Sequence, residues 1–297
     1  MLLKHILKNL YAKLPYKKRL FEIIRDYCGT PTLSIYQHLY FQGRFYVKLN
    51  SALGFNVIHY GNTVENDIFW KGLYGGWEKE SLKIWSEISK DANTILDIGA
   101  NTGIYSLIAQ TINSEADIYA FEPISRVFDK LLENIKVNNY SITALQVAVS
   151  NSDGTATMYD TPSEHQYTAT LNLRPHTAHT NTVPVEVSTV TLKSFIQANN
   201  LPGIDLIKID VERHEIEVLQ GFLPHLLELR PTILIEVIDN SIATYINKTF
   251  SGTDYLFFSI NEKSGIAHEG EVITKKNEDV MNYLLCTRTT AERLQLV

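Results

Sequence analysis

From Thr94 onward, short apolar runs alternate with segments in which apolar residues recur at helical spacing. Five predicted strands are found in TILDI, DIYAFE, SITALQVAVS, GIDLIKIDV and RPTILIEVI. Apolar strands separated by helices are typical of a parallel sheet that is covered on both faces. Because crossovers between parallel strands are right-handed, this order predicts an α/β fold with a doubly wound sheet.

Two stretches depart from this alternation. Between the third and fourth predicted strands, TATMY and VPVEVSTV alternate like additional strands around a polar loop, residues 161–182. Near the end of the chain, DYLFFSIN and NYLLCTR predict a final hairpin at the sheet edge, joined by a charged loop. Residues 1–76 are less regular, and we interpret them as an N-terminal helical and β extension of a domain formed by residues 77–297.

The first thirty residues differ in charge from the rest of the chain. They contain seven Lys/Arg and two acidic residues, whereas the whole chain has a formal net charge of -6. Leu3, Ile6, Leu7, Leu10 and Leu14 recur at helical spacing, which indicates a basic amphipathic helix. Such a helix either docks on an anionic membrane surface or partner, or packs on the main domain with its lysines in water.

The composition limits the classes of partner and the compartment. A pI of about 5.9 disfavours a broad nucleic-acid surface, so we expect no nucleic-acid partner. The two cysteines, Cys28 and Cys286, are too few for a disulfide framework and favour a reducing compartment. No apolar run is long enough to span a bilayer. We therefore expect a cytoplasmic protein, peripheral at the inner membrane face if the basic helix docks there.

The loop after the first predicted strand, Asp97–Gly103, indicates a ligand site. Gly99 permits a tight bend, and Gly103 lets the following helix pack closely against the strand. A dinucleotide-binding loop has a second glycine where this chain has Asn101, and the carboxylate of Asp97 would repel a pyrophosphate. A carboxylate instead attracts the amine of an amino-acid moiety, and S-adenosylmethionine has such an amine and no phosphate.

A second acid, Glu122, ends the second predicted strand. A carboxylate at this position can accept hydrogen bonds from both hydroxyls of a ribose, as in dinucleotide-binding folds. The loop and this distant acid together predict S-adenosylmethionine as the cofactor. The alternative is that Asp97 caps the following turn and that Glu122 is solvated. The residues predicted to hold the cofactor are Asp97, Gly99, Asn101, Gly103 and Glu122.

Another group of polar residues follows the fourth and fifth predicted strands. Methyl transfer to a hydroxyl needs a base that takes the hydroxyl proton, and Asp210, Glu212 and His214 are the candidates. Asp210 and Glu212, with Glu236 at the end of the fifth strand, could instead hold a divalent metal that binds a sugar diol. The need for a metal stays open. A structural alternative is a salt-bridged strand end in which Lys208 pairs with Asp210.

Five blocks of the sequence resemble the FkbM family of S-adenosylmethionine-dependent methyltransferases. They are DIGANTGIYS, FEPISRVFDKLLENIKVNN, AVSNSDG, LIKIDVERHEIEVLQG and PTILIEV, in the family's order within residues 77–240. The resemblance implies a class I methyltransferase fold (Rossmann-like), whose seven-stranded sheet has an antiparallel last strand. It also implies O-methylation, often of sugar hydroxyls in glycans, glycolipids or glycosylated natural products.

The resemblance assigns residues to parts of the cofactor. Asp97, Gly99 and Asn101 would contact the methionine part, and Glu122 would contact the ribose. The residues that would lie near the adenine are Ser150 and Asp153. The residues within the family's second signature are Asp210, Glu212 and His214.

Arg213 stands where the family usually has glycine, in DVERHE. An arginine narrows the space and adds a charge. Either the acceptor carries an anionic group, such as a uronate or a phosphate, or the arginine points to solvent. The residues that we place on the acceptor side are Arg213, Glu236 and His165.

The sequence therefore predicts an enzyme that O-methylates a hydroxyl of a carbohydrate, with a glycan or small-molecule acceptor. Two alternatives stay open. The first is a non-catalytic module that binds cofactor or glycan within an assembly complex, which Arg213 and the basic N-terminus suggest. The second is a methyltransferase for a lipid or small polyol. The oligomeric state does not follow from the sequence.

Overall fold

The computed structural model describes residues 16–161, 169–170, 182–223, 225–270, 272–274 and 279–297. These residues form two compact units, of which the first contains residues 16–77 and the second contains the rest. The division follows Trp77, one residue beyond the end of the expected N-terminal extension. No helix within the described ranges has the length and apolar character that crossing a bilayer requires.

The first unit packs helices against a two-stranded hairpin. Its elements are helix α1 (Lys17–Ile23), a π-helical turn (Ile24–Cys28), helix α2 (Leu33–Tyr36), strands β1 (Gly43–Lys48) and β2 (Gly54–His59), and helix α3 (Thr63–Lys71). The two strands are antiparallel, and their buried positions alternate with exposed ones in β1 and with partly buried ones in β2. Phe45 of β1 and Phe69 of α3 pack edge to face, with ring centroids 5.5 Å apart. This unit therefore has an aromatic core of its own.

The second unit has twelve strands among its described residues. They are β3 (Thr94–Ile98), β4 (Asp117–Phe121), β5 (Thr143–Leu145), β6 (Ala148–Val149), β7 (Gly154–Asp160), β8 (Ala169–Thr170), β9 (Val183–Val190), β10 (Leu206–Ile209), β11 (Thr232–Glu236), β12 (Tyr255–Asn261), β13 (Gly265–Gly270) and β14 (Val280–Thr287). Its helices are α4 (Lys79–Ile88), α5 (Ile104–Ile112), α6 (Ser125–Asn138), α7 (Leu192–Asn199), α8 (Glu215–Phe222), α9 (His225–Leu229), α10 (Asn240–Thr249) and α11 (Arg288–Arg293).

The main sheet has the strand order β5-β4-β3-β10-β11-β14-β12-β13. The strands from β5 to β11 are mutually parallel, whereas β14 is antiparallel to both of its neighbours. This order confirms a doubly wound sheet whose last strand is antiparallel. All residues of β3 and β10 are buried, because helices cover both faces of the sheet centre.

The sheet has eight strands rather than seven, and the last strand does not lie at its edge. The predicted pairing of β12 with β14 is confirmed, but β14 is inserted between β11 and β12. The edge strand is β13, which lies in the segment expected to be a charged loop. Asn261 Oδ1 accepts hydrogen bonds from the backbone N–H groups of Lys263 and Ser264, which turns the chain back onto β12.

The segment SITALQVAVS forms two strands instead of one. Its first half, β5, pairs with β4 in the main sheet, whereas β6 pairs with β9 in a separate sheet of order β6-β9-β7-β8. The two additional strands predicted around the polar loop are confirmed as parts of β7 and β9. Most of that loop lies outside the described residues. The second sheet brings β6 and β7 close to the carboxyl end of β4, where the candidate site lies.

Candidate cofactor and catalytic site

A crevice opens at the carboxyl ends of β3, β4 and β10, where ligands bind in open parallel sheets. Its empty volume is about 710 Å³, open solvent included. Of the residues that the sequence predicts for the site, those that line the crevice are Gly99, Asn101, Glu122, Asp210, Glu212 and His214. The predicted residues outside this lining are Asp97, Gly103, Ser150, Asp153, Arg213 and Glu236. His165 lies outside the described residues.

Gly99 brings the two sequence motifs into contact. Its φ is +79°, and a Cβ atom at this position would lie 1.8 Å from the backbone oxygen of Asp210. The loops after β3 and β10 therefore touch through their backbones, and only glycine fits. Gly103, with φ +92°, is close to helix α6 rather than to the strand, since its Cβ would lie 2.5 Å from Cδ1 of Leu131.

Asp97 is fully buried and binds the first turn of α5 with one carboxylate oxygen. Its Oδ2 accepts hydrogen bonds from the backbone N–H and the hydroxyl of Ser106, at 3.1 and 2.6 Å. Its Oδ1 is also buried and has no hydrogen-bond partner within the described part of the chain. Burial raises the pKa of Asp97, and the charge of Lys208 opposes that shift. One oxygen therefore caps the helix, and the other can accept a further donor.

Glu122 ties the glycine loop to the end of β4. Its Oε2 accepts a hydrogen bond from the N–H of Asn101 at 3.1 Å, and its Oε1 accepts one from the N–H of Ile124 at 2.9 Å. Burial raises the pKa of this carboxyl to about 7, although both hydrogen bonds favour the ionised form. The glycine loop and Glu122, which the sequence predicts to hold one ligand, thus lie together in the crevice.

The AVSNSDG segment contains Ser150 and Asp153, which the resemblance places near the adenine. Ser150 Oγ lies 2.9 Å from Nε2 of His214. Asp153 is exposed and accepts hydrogen bonds from the hydroxyl of Ser194 and the N–H of Thr191, both at 2.6 Å, at the start of α7. These bonds lower the pKa of Asp153, with that from Ser194 as the largest cause. The structure therefore does not bring Asp153 into the crevice.

An apolar wall of the crevice was not identified from the sequence. Its side chains come from the loop after β4, from helix α6, from the residue before β6, and from strands β6 and β7. A flat heteroaromatic ring would fit against such a surface. Apolar residues in strands and helices are indistinguishable from core residues in a sequence, so no signal marked them. The residues of this wall are Ile124, Val127, Val147, Ala148, Val149 and Met158.

Lys208 lies beneath the catalytic candidates and is almost fully buried. Its Nζ is 3.0 Å from Oδ2 of Asp210 and 4.6 Å from the ring centroid of Tyr105. Burial disfavours the charge, but Asp210, Asp97 and Glu78 outweigh it and raise the pKa of Lys208. The salt-bridged strand end is therefore present. It does not exclude a chemical role, since Asp210 also lines the crevice and its side chain is 29% exposed.

Several carboxyl groups around Asp210 have raised pKa values. Burial, followed by the charge of Asp210, raises the pKa of Glu212 to about 7 and that of Glu236 well above its ordinary value. Glu215 Oε1 accepts hydrogen bonds from the N–H groups of Val211 and Arg213, both at 3.3 Å, and closes the loop before α8.

Among the residues that the structure describes, no three His, Cys, Asp or Glu side chains are placed to hold a metal ion.

Arg213 adopts the backbone conformation that favours glycine. Its φ is +78°, and that of the preceding Glu212 is +54°, so two consecutive residues are left-handed. Nη1 of Arg213 lies 3.0 Å from Oδ2 of Asp239. The arginine therefore keeps the bend that glycine would permit, and its charge is paired with an acid rather than left to solvent alone.

The strand order and the crevice at the carboxyl ends of its parallel strands define a class I, Rossmann-like methyltransferase fold. The chain belongs to the FkbM methyltransferase family, because the family described as "Methyltransferase FkbM domain" matches residues 97–260, more than half of the chain. The match begins at Asp97 and includes both sequence motifs of the crevice.

Similar proteins include the hexuronic acid methyltransferase AglP of Haloferax volcanii, which is 25% identical over 160 residues, covering 54% of this chain and 62% of the relative. The 31-O-demethyl-FK506 methyltransferase FkbM of Streptomyces tacrolimicus is 27% identical, covering 44% of this chain and 60% of the relative. The chain spans between 60% and 66% of the length of the curated relatives that it matches.

A solved structure of a methyltransferase FkbM from Methylobacillus flagellatus KT superimposes with a TM-score of 0.44 at 14% identity. The superposition covers 66% of this chain and 43% of that chain.

Proposed function

We propose that this protein is an S-adenosylmethionine-dependent O-methyltransferase that acts on a hydroxyl of a carbohydrate. The observation that carries the proposal is the position of Glu122, whose two carboxylate oxygens bind the glycine loop and the start of the following segment inside the crevice. Membership of the FkbM family supports methyl transfer. The relative named as a hexuronic acid methyltransferase supports a carbohydrate acceptor.

The residues of the crevice fit S-adenosylmethionine, which supplies an electrophilic methyl group when bound. We assign Glu122 to the ribose hydroxyls and the Gly99–Asn101 loop to the amino-acid part. The orphaned Oδ1 of Asp97 is a buried acceptor that suits an ammonium donor near this loop. The apolar wall around Met158 suits the adenine. In this assignment, Ser150 and Asp153 act on the shape of the site rather than as direct contacts.

We assign proton removal from the acceptor hydroxyl to Glu212. A general base works best when its pKa lies near the working pH, and burial brings the pKa of Glu212 to about 7. Asp210, fixed by Lys208, supports this pKa through its charge and offers a second carboxylate to the acceptor. His214 is held by Ser150 and lies 3.4 Å from Glu217, so it serves to position the loop.

The acceptor side is rich in carboxylates, and we place Glu236 and Arg213 there as outer contacts. Carboxylates accept hydrogen bonds from sugar hydroxyls, which suits a polyhydroxylated acceptor. Nη1 of Arg213 is already bound to Asp239, so a uronate that binds this guanidinium shares it with the Asp239 carboxylate.

The experiment is transfer of an isotopically labelled methyl group to neutral and uronate-containing oligosaccharides, with the products identified by mass spectrometry. We expect a methylated sugar oxygen in at least one product. Glu212→Gln should lower turnover about 100-fold or more and leave cofactor affinity within about twofold. Glu228→Gln, at an exposed glutamate of α9, is the control. Cofactor binding without any product across the panel would instead indicate the non-catalytic module.

A further inference from the structure

Helix α1 and the π-helical turn after it present a row of exposed apolar side chains. Leu20, Ile23 and Tyr27 recur at helical spacing and are 54%, 48% and 86% exposed. Tyr16, directly before the helix, is 81% exposed and continues the row. We call these four residues the apolar stripe. Large apolar groups that share one helix face in contact with water indicate an interaction surface.

The opposite side of the same segment is anchored in the first unit. Phe21 is buried and packs on Trp70, with ring centroids 5.6 Å apart. The guanidinium of Arg25 lies 4.7 Å from the centroid of Phe69 and donates a hydrogen bond to the Phe69 carbonyl. Because these contacts hold the segment in place, the stripe is presented outward on a supported helix.

Exposed apolar groups are concentrated in this part of the molecule. Of the fourteen exposed large apolar side chains among the described residues, eight lie within residues 16–53. They include Leu33 and Ile35 of α2 as well as Tyr46 of β1. The remaining six are spread over the rest of the described chain, so the stripe belongs to an enriched region.

The same region is basic in an otherwise acidic chain. Residues 16–62 contain six Lys/Arg and two acidic residues, whereas residues 63–297 contain 18 Lys/Arg and 31 acidic residues. Arg19 is next to the stripe and is exposed, as are Arg44 and Lys48 on the outer face of β1. None of these three makes an ion pair within the described residues. Their charge is therefore available to a partner.

We infer that the apolar stripe, with its flanking basic residues, docks this protein on the surface of an anionic lipid bilayer. Apolar and aromatic side chains beside basic ones are the signature of helices that lie in a membrane interface. Anionic lipids attract each nearby Lys or Arg, and the apolar side chains enter the boundary of the acyl chains. A second copy of the chain fits less well, because a symmetric contact would bring two basic faces together.

The test is co-sedimentation of the full chain with vesicles of phosphatidylcholine containing about one-third phosphatidylglycerol, compared with phosphatidylcholine alone. We expect at least about fivefold stronger binding to the anionic vesicles, and a loss of this preference as salt rises from about 0.1 M to about 1 M. Equal binding to both vesicle types, or no binding to either, overturns the inference.

Two variants test the proposed surface, one within the apolar stripe and one at a flanking basic residue. Leu20→Glu replaces an exposed side chain and should weaken vesicle binding about tenfold, and Arg19→Gln should lower the preference for anionic vesicles. The control is Leu132→Glu, at an exposed leucine of α6 that is outside the basic region, and it should bind like wild type. Equal losses in Leu20→Glu and Leu132→Glu, with both variants folded by circular dichroism, contradict the inference.

Sedimentation velocity without lipid tests whether a second copy of the chain covers the apolar stripe instead. If the stripe docks on a membrane, we expect no concentration-dependent dimer that the Leu20→Glu substitution abolishes. Such a dimer would assign the stripe to a second copy and overturn membrane docking. The vesicle-binding and sedimentation results are independent of methyl transfer, because none of the substituted residues lines the crevice.

Discussion

The absence of a side chain at Gly99 lets the two loops of the crevice approach each other closely. Gly99→Ala would place a methyl group 1.8 Å from the backbone oxygen of Asp210. The substitution should destabilise the fold by about 3 kcal/mol, since overpacking adds to an unfavourable φ. Gly252→Ala is a matched control, because Gly252 has φ +75° and open space around it. That variant should lose only about 1–2 kcal/mol in urea unfolding, and equal losses in the two variants would contradict this explanation.

Arg213 retains the left-handed conformation despite its side chain. Replacing Arg213 with glycine removes backbone strain of about 1 kcal/mol and a partly exposed ion pair with Asp239 worth less than that. The free energy of unfolding should therefore stay equal or rise by up to about 1 kcal/mol. A loss of more than about 2 kcal/mol would show that the arginine stabilises the loop through more than its ion pair.

The pKa of Glu212 predicts how turnover depends on pH. As the proposed base, Glu212 must be ionised, and burial sets its pKa at about 7. Turnover at saturating substrate should therefore rise between pH 6 and 8, with an inflection near 7. In Glu212→Gln this inflection should disappear from the residual activity. An unchanged inflection in the variant would assign the titration to another group.

Among the elements, the apolar runs of β3, β10 and β11 could be predicted because burial on both faces leaves a strong sequence signal, and β4 could be predicted because its buried positions are apolar. The division of the third strand could not be predicted. Its halves pair with β4 and β9, and backbone hydrogen bonding to two partners leaves no mark on side-chain pattern. Strand β13 was missed for a similar reason, since its sequence GIAHEG lacks apolar alternation and its pairing with β12 defines it.

At the start of helix α8, the buried carboxyl of Glu215 links stability to pH. Burial raises its folded pKa from 4.5 to about 7. The folded state therefore binds this proton more tightly than the unfolded state, so stability is highest below the unfolded pKa and falls as pH rises towards 7. Glu215→Gln removes this loss, and its stability relative to wild type should increase between pH 5 and 8 by up to about 3 kcal/mol.

Denaturation at several pH values measures this effect. Glu228→Gln, at an exposed residue of α9, is the control and should show no such trend. A constant difference between Glu215→Gln and wild type across the pH range would contradict the burial of an ionisable carboxyl at this position.

For the whole molecule, the location of the crevice followed from the sequence because parallel strands end at one side of a sheet. From that rule, the glycine loop, Glu122 and Asp210 are expected at one side of the sheet, and all three line the crevice. The rule does not reveal which oxygen of Asp97 is engaged, or that Asp153 binds Thr191 and Ser194 at the start of α7, because both depend on tertiary contacts. The exposed stripe on α1 also needed the structure, because the helical pattern identified in the sequence, Leu3 to Leu14, lies outside the described residues.

The most direct test of the central claim is calorimetric titration of the full chain with S-adenosylmethionine. The account predicts one-to-one binding by wild type and by Glu115→Ala, an exposed control. Glu122→Ala should bind S-adenosylmethionine at least about 30-fold more weakly, since it removes the acceptor proposed for the ribose. Absence of binding to folded wild-type protein, or equal affinity in a folded Glu122→Ala variant, would contradict the account.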